Sequence, residues 1–197
     1  ASGLSVNTGR PSRTGWTAVV GYEIYLRDGS RGSELWDRVM EAGEAHQIRA
    51  IAPSDQRRLE AGIFNYGNDM TVEDTPFHIS GMERLVEFEA EFIGKETLRR
   101  VAAEGVDRKL VGVTLTGEPF RMWLEDFWDV RRDGQVVGRL VSASHSFRLK
   151  ENIGYAWVPI ELAEPGTELE VLSPDGPVAA VTAALPFLDP NKDIPRG

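Results

Sequence analysis

Beyond Asp107 the chain is written in short apolar or alternating runs: KLVGVTL, QVVGRLVSA, NIGYAWVPI, GTELEVLS and VAAVTAALPF. No other feature constrains the fold as strongly. A strand alternates its side chains between two faces, so a register slip of one residue would turn a whole apolar set into water. Asp133-Gly134 and Asp175-Gly176 stand between such runs as turn signals, since tight hairpins favour residues that tolerate positive φ. Several short strands joined in this way predict a small antiparallel barrel or sandwich.

The first half reads differently. Residues 1–28 read as extended, and Gly21-Tyr22-Glu23-Ile24-Tyr25-Leu26 is rich in strand-favouring residues. Leu35, Trp36, Val39, Met40 and Gly43 fall at helical spacing, which predicts a helix over 33–46 with Ser33 as N-cap. Pro53-Ser54-Asp55 starts a second helix over 54–62, and GKETLRRVAAEG a third over 95–104, stopped by Gly105. Residues 71–92 mix acidic and apolar pieces without a period. The expected class is α+β: an α+β piece over residues 1–95, then a linker helix and an antiparallel β-barrel over 96–197. The first piece opens in mid-strand, with too few strands for its helices to cover. It reads as the later part of a longer domain.

Composition removes several function classes. The formal net charge is -9, and the arginines sit in short pairs among acids, which argues against a nucleic-acid binder. With no cysteine there is no disulfide, thiolate zinc site or cysteine nucleophile. No apolar run approaches the roughly 20 residues of a membrane span, and no signal peptide is visible, so a cytoplasmic location is the default expectation. His46, His78 and His145 are scattered without ligand spacing, and no metal site is expected. Ser142, Ser144, His145 and Ser146 are expected in one loop, with no catalytic triad to be built from them. Glu125-Asp126 reads as a solvated face.

Two stretches carry candidate chemistry. In RRLEAGIFNYGNDM a charged helix breaks at Ala61-Gly62 into a polar, aromatic knot, the kind of place where backbone approaches something. In GWTAVVGYEIYL, Glu23 lies on a strand near Trp16. A carboxylate can accept two parallel hydrogen bonds from an amidine-like ring edge while an aromatic side chain covers the ring face. A solvent-facing strand acid beside a core tryptophan is the commoner reading of such residues.

The landmarks resemble, in order, the glycine-cleavage T-protein (aminomethyltransferase) superfamily. SRTGWTAVVGYEIY looks like the family's S-R-x-G-Y-T-G-E-x-G-x-E segment. ELWDRVMEAG, SDQRRLEAGIFNYGNDM, Glu73-Asp74-Thr75-Pro76, FIGKETL, RKLVGVTL, DGQVVGRLVSASHSFRLKENIGYAWVP, PGTELEV and LPF follow, covering nearly the whole chain. The resemblance implies a folate-binding α+β part followed by a C-terminal barrel, with this chain as the later part of such a protein. It implies tetrahydrofolate as cofactor, with the pterin held by Glu23 and walled by Trp16, and with Tyr22, Ser54 and Tyr66 at the folate site. Tyr66, Asn68 and Asp69 would form part of the cavity wall rather than the catalytic apparatus.

Three departures matter. Val19 and Ala18 replace the family's first glutamate and its glycine, and Ser54 stands where typical members have an arginine. The family's aspartate near the reacting carbon falls upstream, so no catalytic residue is expected in these residues. Tyr22-Glu23-Ile24-Tyr25 and NYGNDM with Pro76-Phe77 resemble the demethylating branch, which includes dimethylsulfoniopropionate and aryl-ether demethylases. The implied partner is a small-molecule methyl or aminomethyl donor, or a lipoyl carrier protein. A non-catalytic folate binder, the folate-handling tail of a dimethylglycine or sarcosine dehydrogenase, and a ligand-free barrel module are the alternatives.

Overall fold

The computed structural model describes residues 11, 12, 15–120, 124 and 126–196. The remaining residues of the opening stretch, including Arg13 and Thr14 of SRTGW, and Glu125 of the acid pair lie outside the described residues. The chain forms two units, residues 1–54 with 192–197 and residues 55–191.

In the first unit, β1 (Pro11–Ser12) pairs antiparallel with β2 (Glu23–Ile24), setting Ser12 opposite Glu23. The strand expected over Gly21–Leu26 thus narrows to two paired residues. Helix α1 spans Gly32–Gly43. Its start differs from the Ser33 expectation, because a carboxylate four residues before the helix starts the turn first. Asp28 accepts from the Ser30 N–H at 3.1 Å and opens a 3-10 turn over Gly29–Arg31 that runs into α1. The helix leaves through a second 3-10 turn, Glu44–His46, and Gln47 ends it in the left-handed region. No residue of α1 is buried, and Trp36 is 55% exposed.

The second unit holds α2 (Asp55–Glu60), α3 (Lys95–Glu104) and six strands. These are β3 (Arg108–Leu115), β4 (Trp128–Arg132), β5 (Gln135–Ser146), β6 (Glu151–Pro159), β7 (Glu168–Ser173) and β8 (Gly176–Ala183). They close into a barrel of order β3-β6-β5-β4-β7-β8, with β8 pairing back to β3 and every pair antiparallel. Closure pairs every strand on both sides, which removes the exposed edges of an open sheet. The α+β class with a C-terminal antiparallel barrel, expected from the sequence, is the fold observed. Asp133 and Gly134 both take positive φ in the β4–β5 turn, as a tight hairpin requires. Ser142, Ser144, His145 and Ser146 do not form a loop; they belong to β5, which continues past its apolar run.

The barrel is packed on both sides. Val113, Val130, Leu140, Ala156, Val158 and Val171 belong to the interior cluster. Outside, Leu110, Val141, Ile153, Tyr155 and Trp157 pack with Leu59 of α2. Strand β6 therefore buries both faces from Asn152 to Val158, which accounts for its nearly continuous apolar sequence. The periodless stretch 71–92 consists of turns and short 3-10 segments, tied to the barrel where the Ser80 N–H donates to the Leu110 carbonyl at 3.0 Å.

Helix α2 is short, yet it buries three consecutive residues, Arg58, Leu59 and Glu60. Glu60 accepts from Ser146 Oγ at 2.6 Å, Gln56 Nε2 at 2.9 Å and Arg148 Nε at 2.7 Å, so it locks α2 to the β5–β6 turn. Burial pushes its carboxyl up, but the bonds from Arg148, Ser146 and Gln56, with the arginine charge, outweigh burial and hold it below its ordinary value. A depressed folded-state pKa contributes stability above the unfolded value and loses it as pH falls through the folded one. Urea unfolding is accordingly expected to become easier as pH drops below about 4.3. Glu60→Gln should flatten that part of the profile; an unchanged acid slope would free Glu60 from this role.

Candidate functional site

Trp16, Tyr22, Glu23 and Ser54 belong to the first unit and Tyr66 to the second. Glu23 is exposed on β2, and its Oε2 accepts from the Tyr25 hydroxyl at 3.0 Å. This bond, together with the carboxylate charge, raises the Tyr25 pKa above its ordinary value. Trp16, Tyr22 and Tyr25 of the same unit are exposed aromatics, at 37%, 64% and 62%. Ser54 is half-buried immediately before α2, and Tyr66 is 62% exposed on its loop.

The NYGND knot has a structural centre that the sequence reading did not single out. Gly62, at φ 69°, turns the chain out of α2, while the Ile63 N–H returns to the Arg58 carbonyl at 2.9 Å. The Tyr155 hydroxyl reaches up from β6 to the same helix end, 3.2 Å from the Leu59 carbonyl. Burial holds this phenol above its ordinary pKa, so it stays a donor. After Ile63 the loop folds around the Asp69 carboxylate, which is 1% exposed. Its Oδ2 accepts from Arg58 Nη1 and from the Asn65 N–H, each at 2.7 Å. Its Oδ1 accepts from Ser142 Oγ at 2.5 Å and from Asn68 Nδ2 at 3.0 Å.

Strand β5 delivers Ser142 through a bulge. Leu140 opposes Ala156 and Ser142 opposes Tyr155, which leaves Val141 as the extra residue. Leu140 and Ala143 join the interior cluster, Val141 joins the outer one, and Ser142 meets Arg58 Nη2 at 2.9 Å. The bulge thus turns two successive side chains outward toward α2 and its loop. Beside the network lies a cavity of about 210 Å³, with Asp55, Arg58, Asn65, Asn68 and Ser142 as its polar lining. The signal for this centre was an arginine and an acid beside the apolar Leu59, which reads as a solvated helix face unless the partner on β5 is known. Among the described residues no group of three or more His, Asp or Glu could hold a metal ion, and no helix is long and apolar enough to cross a membrane.

The "GCVT N-terminal domain" family profile matches residues 5–90, and the "Glycine cleavage T-protein C-terminal barrel domain" profile matches residues 108–189. The chain is 35% identical over 167 residues to dimethylsulfoniopropionate demethylase DmdA of Ruegeria pomeroyi, covering 84% of this chain and 44% of that protein. It is 33% identical over 185 residues to an aminomethyltransferase of Thermoanaerobacter pseudethanolicus, covering 91% of this chain and 48% of that one. The crystal structure of glycine cleavage system aminomethyltransferase T from Bartonella henselae shares the fold at a TM-score of 0.77 and 24% identity, over 91% of this chain and 49% of that one. The chain spans about half the length of these relatives. With both profiles in order and these relatives matched over 84% and 91% of its length, the chain belongs to the glycine-cleavage T-protein (aminomethyltransferase) superfamily.

Proposed function

We propose that this chain is the folate-holding, barrel-bearing part of a tetrahydrofolate-dependent one-carbon transferase. The observation that carries the reading is the exposed Glu23 carboxylate on β2, bonded to Tyr25 in a unit that also exposes Trp16 and Tyr22, in a chain of this family. Those groups suit a flat heterocycle: a carboxylate pairs with adjacent N–H donors, and aromatic faces cover the ring. Tetrahydrofolate, when bound, supplies the N5 atom that takes up the one-carbon unit. Glu23 would orient the pterin edge, and Tyr25, by donating to Oε2, would fix the carboxylate's rotamer. Trp16 and Tyr22 would exclude water from the ring face, and Ser54 and Tyr66 are proposed as further folate contacts.

In this reading residues 1–95 are the C-terminal part of a folate-binding domain, and 96–197 are a linker helix and the C-terminal barrel. These residues would hold and orient the folate, and the transfer itself is proposed for a protein of the relatives' full length, of which this chain spans about half. The donor is a small molecule bearing a methyl or aminomethyl group, with a lipoyl carrier protein as the aminomethyl alternative, and the setting is cytoplasmic. The names of the relatives support both donor classes, one a demethylase and one an aminomethyltransferase.

Calorimetric titration of tetrahydrofolate tests the role of Glu23. Glu23→Ala should weaken binding roughly tenfold to a hundredfold, the range for losing hydrogen bonds to a charged acceptor. Unchanged affinity would remove Glu23 from the site. Analysis of the folate product formed by the intact enzyme with candidate donors would then separate methyl from methylene transfer.

A further inference from the structure

The 210 Å³ cavity beside α2 has chemistry that the folate reading does not use. At about 30 Å³ per water, it has room for roughly seven waters or one small organic group. Its lining is unevenly satisfied. Both oxygens of Asp69 are filled, and Arg58 spends Nε on Asp55, Nη1 on Asp69 and Nη2 on Ser142. Asn68 gives its Nδ2 to Asp69, to Ser142 and to the Val141 carbonyl, which leaves its Oδ1 as an acceptor. Asp55 accepts from Arg58 through Oδ1 alone, and its side chain is 42% exposed. Among the described residues nothing donates to Asp55 Oδ2, to Asn68 Oδ1 or to the Asn65 side-chain amide. Among the described residues, Asp55 in the lining and Asp69 behind it set two carboxylates against the one Arg58 guanidinium, a balance of one unit negative.

We propose that this cavity binds a small guanidinium or amidinium group. Spare acceptors and a net negative lining select a donor-rich cation and reject anions. The other walls include Leu59, Val141 and Ala143, which favour a flat, weakly hydrated cation over a compact ammonium that holds its water tightly. Asp55 Oδ2 supplies the charge, and the amides of Asn65 and Asn68 read the remaining N–H groups. The ligand is held without any covalent step, and the proposal stands independently of tetrahydrofolate binding.

The test uses the 197-residue chain and methylguanidinium as the probe, with neutral N-methylurea as its shape control. The Asn68 side-chain amide signals are followed by NMR. Saturable shifts at roughly millimolar probe are expected, with N-methylurea at least about tenfold weaker. Asp55→Asn should weaken the probe by about tenfold or more, because it removes the negative charge of the carboxylate whose Oδ2 has no donor among the described residues. Asn65→Ala is the second variant and should cost a few-fold. It leaves intact the Asn65 backbone N–H that anchors Asp69, so it decides the matter even if the Asp55 variant does not fold. Absence of saturable shifts, equal binding of N-methylurea, or unchanged affinity in the folded variants would overturn the proposal.

Discussion

Arg58→Met is expected to lower the unfolding free energy by about 3–5 kcal/mol, the range for removing one partner of a buried ion pair. Arg58 is 2% exposed and Asp69 1%, so the carboxylate would keep its bonds from Asn65, Asn68 and Ser142 but lose its counter-charge in the interior. Ser142 would lose its guanidinium partner as well. The cost comes from that orphaned acid more than from the lost attraction. Pairing the change with Asp69→Leu should therefore recover a large part of it, since a buried ion pair replaced by apolar groups is often neutral or better. The bond to Asp55 contributes little, because that carboxylate is partly solvated. Arg58→Lys does not restore the parent, because one ammonium cannot reproduce a fork that reaches Asp55, Asp69 and Ser142 from three nitrogens. Urea denaturation of the single and double variants checks this. A single-variant loss below about 1 kcal/mol would show that the tie contributes nothing.

What the sequence disclosed about the fold followed the strength of its periodicity. KLVGVTL and NIGYAWVPI became β3 and β6, because both faces of β6 and most of β3 are buried and their apolar runs are nearly unbroken. The strand WDVRR went unnoticed, because only Val130 in it is fully buried and two arginines follow. Local periodicity does not register a short strand whose neighbours in the barrel, β5 and β7, supply its hydrogen bonds. The serine-rich end of β5 was misread for a related reason. The bulge at Val141 breaks the alternation, and Ser146 is buried on Glu60 of α2, a partner 86 positions away.

The candidate site divides the same way. Glu23 could be picked out because a family motif places it, not because its spacing is unusual, and it proves to be an exposed strand acid bonded to Tyr25. Asp69 was visible only as part of a polar loop. Its burial depends on Arg58, Ser142 and the Trp157 indole, which donates to the Asp69 carbonyl at 2.9 Å. None of those partners is within ten positions of it in the chain. Buried polar networks are specified by tertiary geometry, and a single sequence records their members without recording that they meet.

Gly138→Ala is expected to be the most damaging single methyl in the barrel. A Cβ at this position would lie 1.9 Å from the Trp157 carbonyl oxygen and 3.0 Å from its carbonyl carbon. Both atoms are backbone of β6, so no side-chain rotation can relieve the contact. The approach is close because β5 carries an extra residue here: Gly138 opposes Val130 while Val136 opposes Arg131, which leaves Val137 of β5 with no register partner on β4. Such bulges bend and twist the strand, and here the bend presses β5 toward β6. Relief would require the β5–β6 pairing to separate around Arg139 and Trp157, which are register partners. The cost should reach or exceed the upper end of the roughly 1–3 kcal/mol typical of overpacked cores. A fall in soluble yield and loss of the near-ultraviolet dichroism from the buried Trp157 are the expected readouts. Val136→Ala, two residues away and 55% exposed, should stay within about 0.5 kcal/mol of the parent. Equal stability of the two variants would mean that β5 and β6 do not approach each other this closely in solution.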